Sequence, residues 1–238
     1  MLNEATIAAF RKSLRGGLIE PGDPAYDGAR KVYNAMIDRR PRLIARCADV
    51  ADVMTAVKFG REQNLLVAIR GGGHNAAGLG VCDDGLVIDL SPMNYVRVAP
   101  KKRTVLAGGG AQWRDVDHAT HAFGLAVPSG IISTTGVAGL TLGGGIGYLT
   151  RQYGLTIDNL LAVGNGAGRR ALRHRQRQGK CRPVLGGARW GRELRCRHVI
   201  SVQGATCAHQ LRRADVVEDG RRGGDDALVL QLHCEGAR

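Results

Sequence analysis

The chain has 238 residues, 44% of them apolar, enough for one large domain or two small ones. Its formal net charge of +13 invites a nucleic-acid reading, but residues 1–165 carry 18 basic and 14 acidic side chains while 166–238 carry 16 and 7, so most of the excess belongs to the final third. No apolar run is long enough for a bilayer, residues 1–17 lack the basic and then apolar layout of a signal peptide, and six irregularly spaced cysteines make no disulfide framework; the expectation is a cytoplasmic protein without a membrane partner.

In chain order, ATIAAFRKSL has apolar residues at helical spacing and predicts a short helix. PGDPAYDGARKVYNAMIDRRP is turn-rich and then partly helical, and RLIARCA reads as a strand. DVADVMTAVKFGREQN opens on an aspartate suited to an N-cap and repeats apolar residues as on a buried helix face. LLVAIRG follows as a strand, and this strand–helix–strand order favours parallel pairing. GLVIDLSPM is another strand, and YVRVAP and RTVLAGGG read as paired strands around a KK turn. QWRDVDHATHAFG predicts a helix stopped at glycine, and LAVPSG a strand and turn. GVAGLTLGGGIGYLTRQYG reads as a glycine-rich loop leading into a short helix, and LTIDNLLAV ends in a strand. The class is α+β.

Leu66 to Gly80, LVAIRGGGHNAAGLG, places three glycines and a histidine directly behind an apolar strand. Consecutive glycines let a backbone approach a ligand and aim its N–H groups at it, and such nests bind phosphate. Three glycines alone also fit a tight turn. Taken with GLVIDLSPMNYVRV, RTVLAGGGAQWRDVD and VPSGIISTTGVAGLTLGGGIGYLTRQYGLTIDNLLAV, the segment resembles the pyrophosphate loop of FAD-linked oxidases of the vanillyl-alcohol oxidase type, in their berberine-bridge-enzyme-like branch. The resemblance runs from Tyr33 to Val163. It implies a PCMH-type FAD-binding domain of two α/β subdomains over 33–163, preceded by a helical and turn segment, 1–32, and incomplete at its C-terminal end.

The resemblance also implies roles. Arg70, Gly71, Gly72, Gly73, His74 and Asn75 form the pyrophosphate loop, with backbone amides of Gly71 to Asn75 on the phosphates. His74 aligns with the histidine covalently joined to the flavin 8α-methyl group, a position that suits a neutral, nucleophilic imidazole. Ser133, Thr134, Thr135, Gly136, Val137 and Gly139, then Gly143, Gly144, Gly145 and Gly147, line the cofactor's other side. Doubly linked members of the branch carry a cysteine just before the STTG-like segment; Ile132 stands there, so no second, cysteinyl link is expected. The implied activity is hydride transfer from a small-molecule C–H to FAD, reoxidised by dioxygen, on an alcohol, sugar or amine. No residue matches a catalytic base.

Other features read as structural. Cys82 lies in the turn GVCDDG as an incidental thiol. His118 and His121 sit on the predicted DVDHATHAFG helix as surface or packing residues. LLAVGNGAG lacks the third glycine of a dinucleotide fingerprint, because Arg169 holds that place. Cys196-x-His198 and Cys207-x-His209 match no zinc module, so no metal is expected.

After Val163 the periodicity fails, and 15 of the 16 basic residues from 166 onward are arginine. The family would continue with strands of a different kind. Codons permitted for GNGAGRR, read one base later, give EMVLADG. The same offset turns ALRHRQRQGKCRPVLGGARWGRELRCRHVIS into RCVTASAKENADLFWGARGGDGNFGVVTS, and ADVVEDGRRGGDDAL into PMLWKMEDAAEMMR. The expectation is a one-base insertion near the Val163 and Gly164 codons, a disordered out-of-frame tail over 164–238, weak FAD binding and impaired activity. The alternative is a basic binding protein whose arginine-rich tail takes nucleic acid or an acidic partner, which the lack of interleaved aromatics disfavours.

Overall fold

The computed structural model describes residues 2–167, 171–176, 196–197, 200–202, 230–233 and 235–236. His198, Cys207, His209 and Arg169 lie outside them, as does most of the tail read as out of frame.

Helix α1 (Glu4–Ser13) is capped by Asn3, whose Oδ1 accepts from Thr6 N at 2.8 Å. It leads through β1 (Gly17–Ile19) and the single turn α2 (Tyr26–Ala29) to β2 (Leu43–Arg46). Helix α3 (Val50–Glu62) starts at the aspartate expected to cap it: Asp49 Oδ1 accepts from Asp52 N at 3.0 Å. Strands β3 (Val67–Arg70) and β4 (Leu86–Asp89) complete the first sheet, in the order β1, β2, β4, β3. Strands β2, β4 and β3 pair in parallel, as the strand–helix–strand order predicts, but β2 and β3 do not touch, because β4 enters between them; β1 joins β2 antiparallel.

Both faces of this sheet are covered, which is why its strands are continuous apolar runs rather than alternating ones. Leu43, Ala45, Leu86 and Ile88 face α1 and α3, where the rings of Phe10 and Phe59 stack at 3.9 Å. Ile44 and Val87 face Tyr26, Val81 and Cys82 on the other side. Cys82 is therefore a core residue, and burial pushes its thiol pKa up, away from reactivity.

The second unit is antiparallel. Strands β5 (Val96–Ala99) and β6 (Thr104–Ala107) pair around a short turn, where Arg103 takes the left-handed conformation. Helix α4 (Trp113–His121) and strand β7 (Leu125–Ala126) follow as expected. The glycine-rich segment differs from its sequence reading. It forms helix first, α5 (Val137–Leu142), then a glycine turn and α6 (Thr150–Tyr153). The reason is the placement of apolar residues: Val137, Ala138 and Thr141 are buried, so helix forms where VAGLTL can pack. Strand β8 (Leu160–Ala167) runs four residues past Val163, where the sequence pattern fails, and pairs with β9 (Ala171–Gln176). Short strands β10 (Cys196–Arg197), β11 (Ile200–Val202) and β12 (Leu230–His233) join this sheet, and β13 (Glu235–Gly236) pairs with β7. The core here is Trp113, Val105, Ala107, Val116, Val127, Val137 and Leu160.

Asp52 ties the N-terminal segment to the first unit. Its buried carboxylate accepts from Arg15 N, Gly16 N and Ala48 N at 2.8–2.9 Å. Removing it strands three backbone donors. Asp52→Ala is expected to cost roughly 3–4 kcal/mol, measured as a fall in the urea midpoint, and a cost under about 1 kcal/mol would show that water replaces the carboxylate.

Candidate cofactor-binding site

The three parallel strands end together on charges. Asp89 closes β4 and stands in register with Arg46 of β2 and Arg70 of β3. Arg70 Nη2 lies 3.2 Å and Arg46 Nε 3.7 Å from Asp89 Oδ2. Asp89 also accepts from Ser91 N and Ser91 Oγ at 3.1 and 3.0 Å. Arg70 and Asp89 are both buried, so each needs the other; an unpaired charge at that depth is costly.

Directly past Arg70 the chain turns through Gly71, Gly72 and Gly73. Gly73 has φ +70°, which a side chain resists. Gly72 lies against Gly136: a Cβ on Gly72 would sit 2.2 Å from Gly136 N, and one on Gly136 would sit 2.4 Å from Gly72 N. The two glycine loops thus meet backbone to backbone, and only glycine fits on either side.

This contact delivers His74 to the second loop. Thr134 Oγ1 is 2.9 Å from His74 Nε2, and Thr135 Oγ1 is 3.3 Å from Nδ1. A hydroxyl can donate or accept, so the pair satisfies either tautomer of a neutral imidazole. Burial lowers the His74 pKa below the ordinary 6.5. The ring of Tyr33 stacks on the imidazole, with centroids 3.9 Å apart and planes 18° apart.

A cleft of about 490 Å³ opens here, lined by Lys31, Val32, Tyr33, Arg70, Gly71, Gly72, Gly73, His74, Asp89, Ser91, Gln112 and Thr134. Its volume suits part of a large cofactor. Gln112 Oε1, in its wall, is buried without a protein partner. A bare backbone cradle, cationic side chains at Lys31 and Arg70 and an unpartnered polar wall atom fit a phosphate-bearing dinucleotide.

Among the residues expected at the site, Arg70 to His74, Thr134, Thr135 and Gly136 are brought together. Asn75 does not line the cleft; its Oδ1 accepts from Leu79 N at 3.1 Å and caps the next turn. Ser133 O and Thr135 O accept from Arg114 N and Trp113 N, which fastens this loop to the start of α4. Val137 is core, and its N–H donates to Ala111 O. Gly139 lies within α5. Gly143 to Gly147 form the turn beyond it: Gly145 packs on Thr156 and Gly147 on Ser129, away from this cleft. Ile132 is exposed. His118 lines a separate shallow groove with Asn94, Val96, Arg114, Asp115 and Ala119. Sequence reasoning missed Lys31, Val32, Tyr33, Asp89, Ser91 and Gln112 as lining residues. Asp89 had a signal: VID and AIR are neighbouring-type strands that end on opposite charges.

Two outcomes follow from this geometry. Gly136→Ala is expected to lower stability by about 2 kcal/mol, since the clashing atoms are backbone, whereas Gly139→Ala, with open space at its Cβ, is neutral or stabilising; paired urea midpoints decide it. At His74 the folded state binds less proton than the unfolded state, so stability is unaffected well above 6.5 and falls as pH drops through the lowered pKa. Wild type is therefore expected to lose more stability than His74→Gln between about pH 7 and pH 5.

Comparison with known proteins agrees with this architecture. Residues 41–164 match the family model described as an FAD binding domain. An uncharacterized FAD-linked oxidoreductase of Bacillus subtilis is 38% identical over 153 residues, 64% of this chain and 34% of that protein. The (R)-6-hydroxynicotine oxidase of Paenarthrobacter nicotinovorans is 36% identical over 151 residues, 63% of this chain and 33% of that protein. The chain thus spans about a third of the length of the curated relatives it matches. Among solved structures, 6-hydroxy-D-nicotine oxidase from Arthrobacter nicotinovorans superposes with a TM-score of 0.72 at 31% identity, over 81% of this chain and 42% of that one. Wild-type BBE-like 1 of Physcomitrella patens gives 0.69 at 28%, over 74% and 38%. Among the described residues no helix is long and apolar enough to cross a membrane. With a glycine cradle closing on a second glycine loop, and a family match that covers both, this chain belongs to the FAD binding domain family.

Proposed function

We propose that the chain is the cofactor-holding part of an FAD-dependent oxidase acting on a small molecule, with dioxygen as the electron acceptor. The observation that carries this reading is the cradle of Gly71 to His74, which opens onto a cleft with a neutral imidazole at its rim. Backbone N–H groups of the loop would hold the pyrophosphate, Lys31 and Arg70 would offset its charge, and Thr134 and Thr135 would orient His74. Bound FAD supplies hydride acceptance from a substrate C–H. Relatives bear names that specify a hydroxynicotine and a chitooligosaccharide, which supports amines, sugars or alcohols as the substrate class.

His74 would carry the cofactor covalently. His74 would supply the ring nitrogen for one C–N bond and give up its N–H proton; bound FAD would supply the 8α-methyl carbon, which loses one hydrogen, and the two electrons released would reduce dioxygen to hydrogen peroxide. One of the Thr134 and Thr135 hydroxyls would accept the imidazole N–H and fix the tautomer, and the other, donating to the opposite nitrogen, would release that lone pair to the flavin. Ile132 offers no second link.

We further propose that residues 164–238 are read one base out of frame, which replaces the strands that would follow Val163 and weakens FAD binding and turnover in this chain. Three separated segments that recover family-like sequence at one offset support this, and the arginine-rich charge of the tail then needs no nucleic acid.

Two measurements test the reading. Resequencing the DNA across the codons for Asp158 to Arg170 is expected to show that removing one base restores EMVLADG; a shifted frame encoding none of the three segments would refute the frame change. Incubation with FAD, acid precipitation and absorbance of the pellet is expected to show acid-stable flavin that His74→Ala abolishes. Acid-stable flavin surviving in that variant would sink the assignment to His74.

A further inference from the structure

We propose that Tyr33 is a positioning residue for His74: its ring covers one face of the imidazole and holds it in the plane where both nitrogens meet the threonine hydroxyls. The consequence for cofactor attachment rests on the FAD reading above; the positioning itself does not.

Tyr33 belongs to a strap that precedes the family-matched region. The strap is laid over the glycine loop by three hydrogen bonds, none of them to the Tyr33 side chain. Tyr33 N donates to Gly73 O at 3.1 Å, Lys31 O accepts from Arg70 Nη1 at 3.4 Å, and Asn34 Nδ2 donates to Ala76 O at 2.9 Å. Its base is fastened by Arg30, which pairs with Asp27 at 2.7 Å and with Asp38. Every one of these bonds could form with any side chain at position 33.

The ring itself does something else. It is 66% exposed and joins none of the buried clusters, so it adds little to the core. Its aromatic partner is His74, in a near-parallel stack. The two threonines constrain the imidazole only through its in-plane nitrogens, at 2.9 and 3.3 Å. Hydrogen bonds of this kind leave the ring free to tilt about the line joining them, because the side-chain torsion next to an aromatic ring is broad. A flat surface against one face removes that freedom. It also shields that face from water, which contributes to the burial that keeps the imidazole neutral. The stack, the two hydroxyls and the backbone of the loop together present a single edge of the ring to the cleft.

The test uses the full chain and begins without FAD. The His74 ring resonances are assigned by their loss in His74→Gln. In wild type they are expected upfield, from the ring current of Tyr33, and to titrate below the ordinary value of 6.5. Tyr33→Phe keeps the stack and is expected to match wild type. Tyr33→Leu keeps the strap and the urea midpoint, but its His74 signals return downfield and its pKa moves up towards 6.5. Lys31, Arg70 and Asp89, the charged groups of the same cleft, are unaltered in both variants. Carbethoxylation of the His74 peptide by diethyl pyrocarbonate, read by mass spectrometry, is expected to be about three- to tenfold faster in Tyr33→Leu, the range set by the loss of one aromatic stack. Unchanged shifts and reactivity in a folded Tyr33→Leu would overturn the proposal. So would a downfield move in Tyr33→Phe, which would assign the effect to the hydroxyl. With FAD added, Tyr33→Leu is expected to lower the acid-stable share of bound flavin while total flavin stays level. Absence of flavin in wild type would overturn the FAD reading, and the ring measurements would still decide the role of Tyr33.

Discussion

Two backbones in contact at Gly72 and Gly136 set the geometry of this protein. The first unit ends its parallel strands on one loop, and the second begins α5 from the other. Where the loops cross, a single Cβ on either side would overlap main-chain atoms, which cannot swing away as a side chain can. The close approach places Thr134 and Thr135 within hydrogen-bond reach of a histidine sixty residues earlier in the chain. It also fixes the floor of the cleft, since the atoms on either side of it are the same ones that meet.

The strand ends beneath the loop depend on charge. Three parallel strands finishing in register bring two arginines and an aspartate side by side; Arg70 and Asp89 are buried, which makes their pairing obligatory, while Arg46 closes the group from the exposed side. Ser91 completes the shell of the carboxylate. The glycine loop is built directly on β3, above this group: Asp89 alone would place a negative charge at its base, and the flanking guanidiniums cancel it. The stem of Arg70 also runs beneath Gly73 and Gly80, so one side chain supports the turn and neutralises its base.

His74 shows how an imidazole is kept neutral. Desolvation disfavours the imidazolium, hydroxyls on both nitrogens tolerate either tautomer, and among the described residues no carboxylate is hydrogen-bonded to the ring to hold a proton on it. The groups around the ring come from three parts of the chain: the strap between α2 and β2, the loop after β3 and the loop before α5.

The sequence by itself determined the elements and the chemistry of the first loop. Val67 to Arg70 is an apolar strand followed by glycines, Asp49 has the short acceptor side chain that a helix start requires, and RTVLA with YVRVA has the alternation of a pair; these are local properties, set by backbone stereochemistry and nearest neighbours. Its limits were also local. Glycines at 143–147 look like those at 71–73, yet they turn the chain between two short helices and pack on Thr156 and Ser129, a placement set by what lies behind the loop. That β4 enters between β2 and β3, that Asp89 comes to lie beside Arg70, and that Tyr33 settles on His74 follow from burial and register across segments separated by up to some forty residues. No period or motif records such encounters; the tertiary structure alone decided them, since the free energy that fixes them is released only when the sheet is assembled and its charges leave water together.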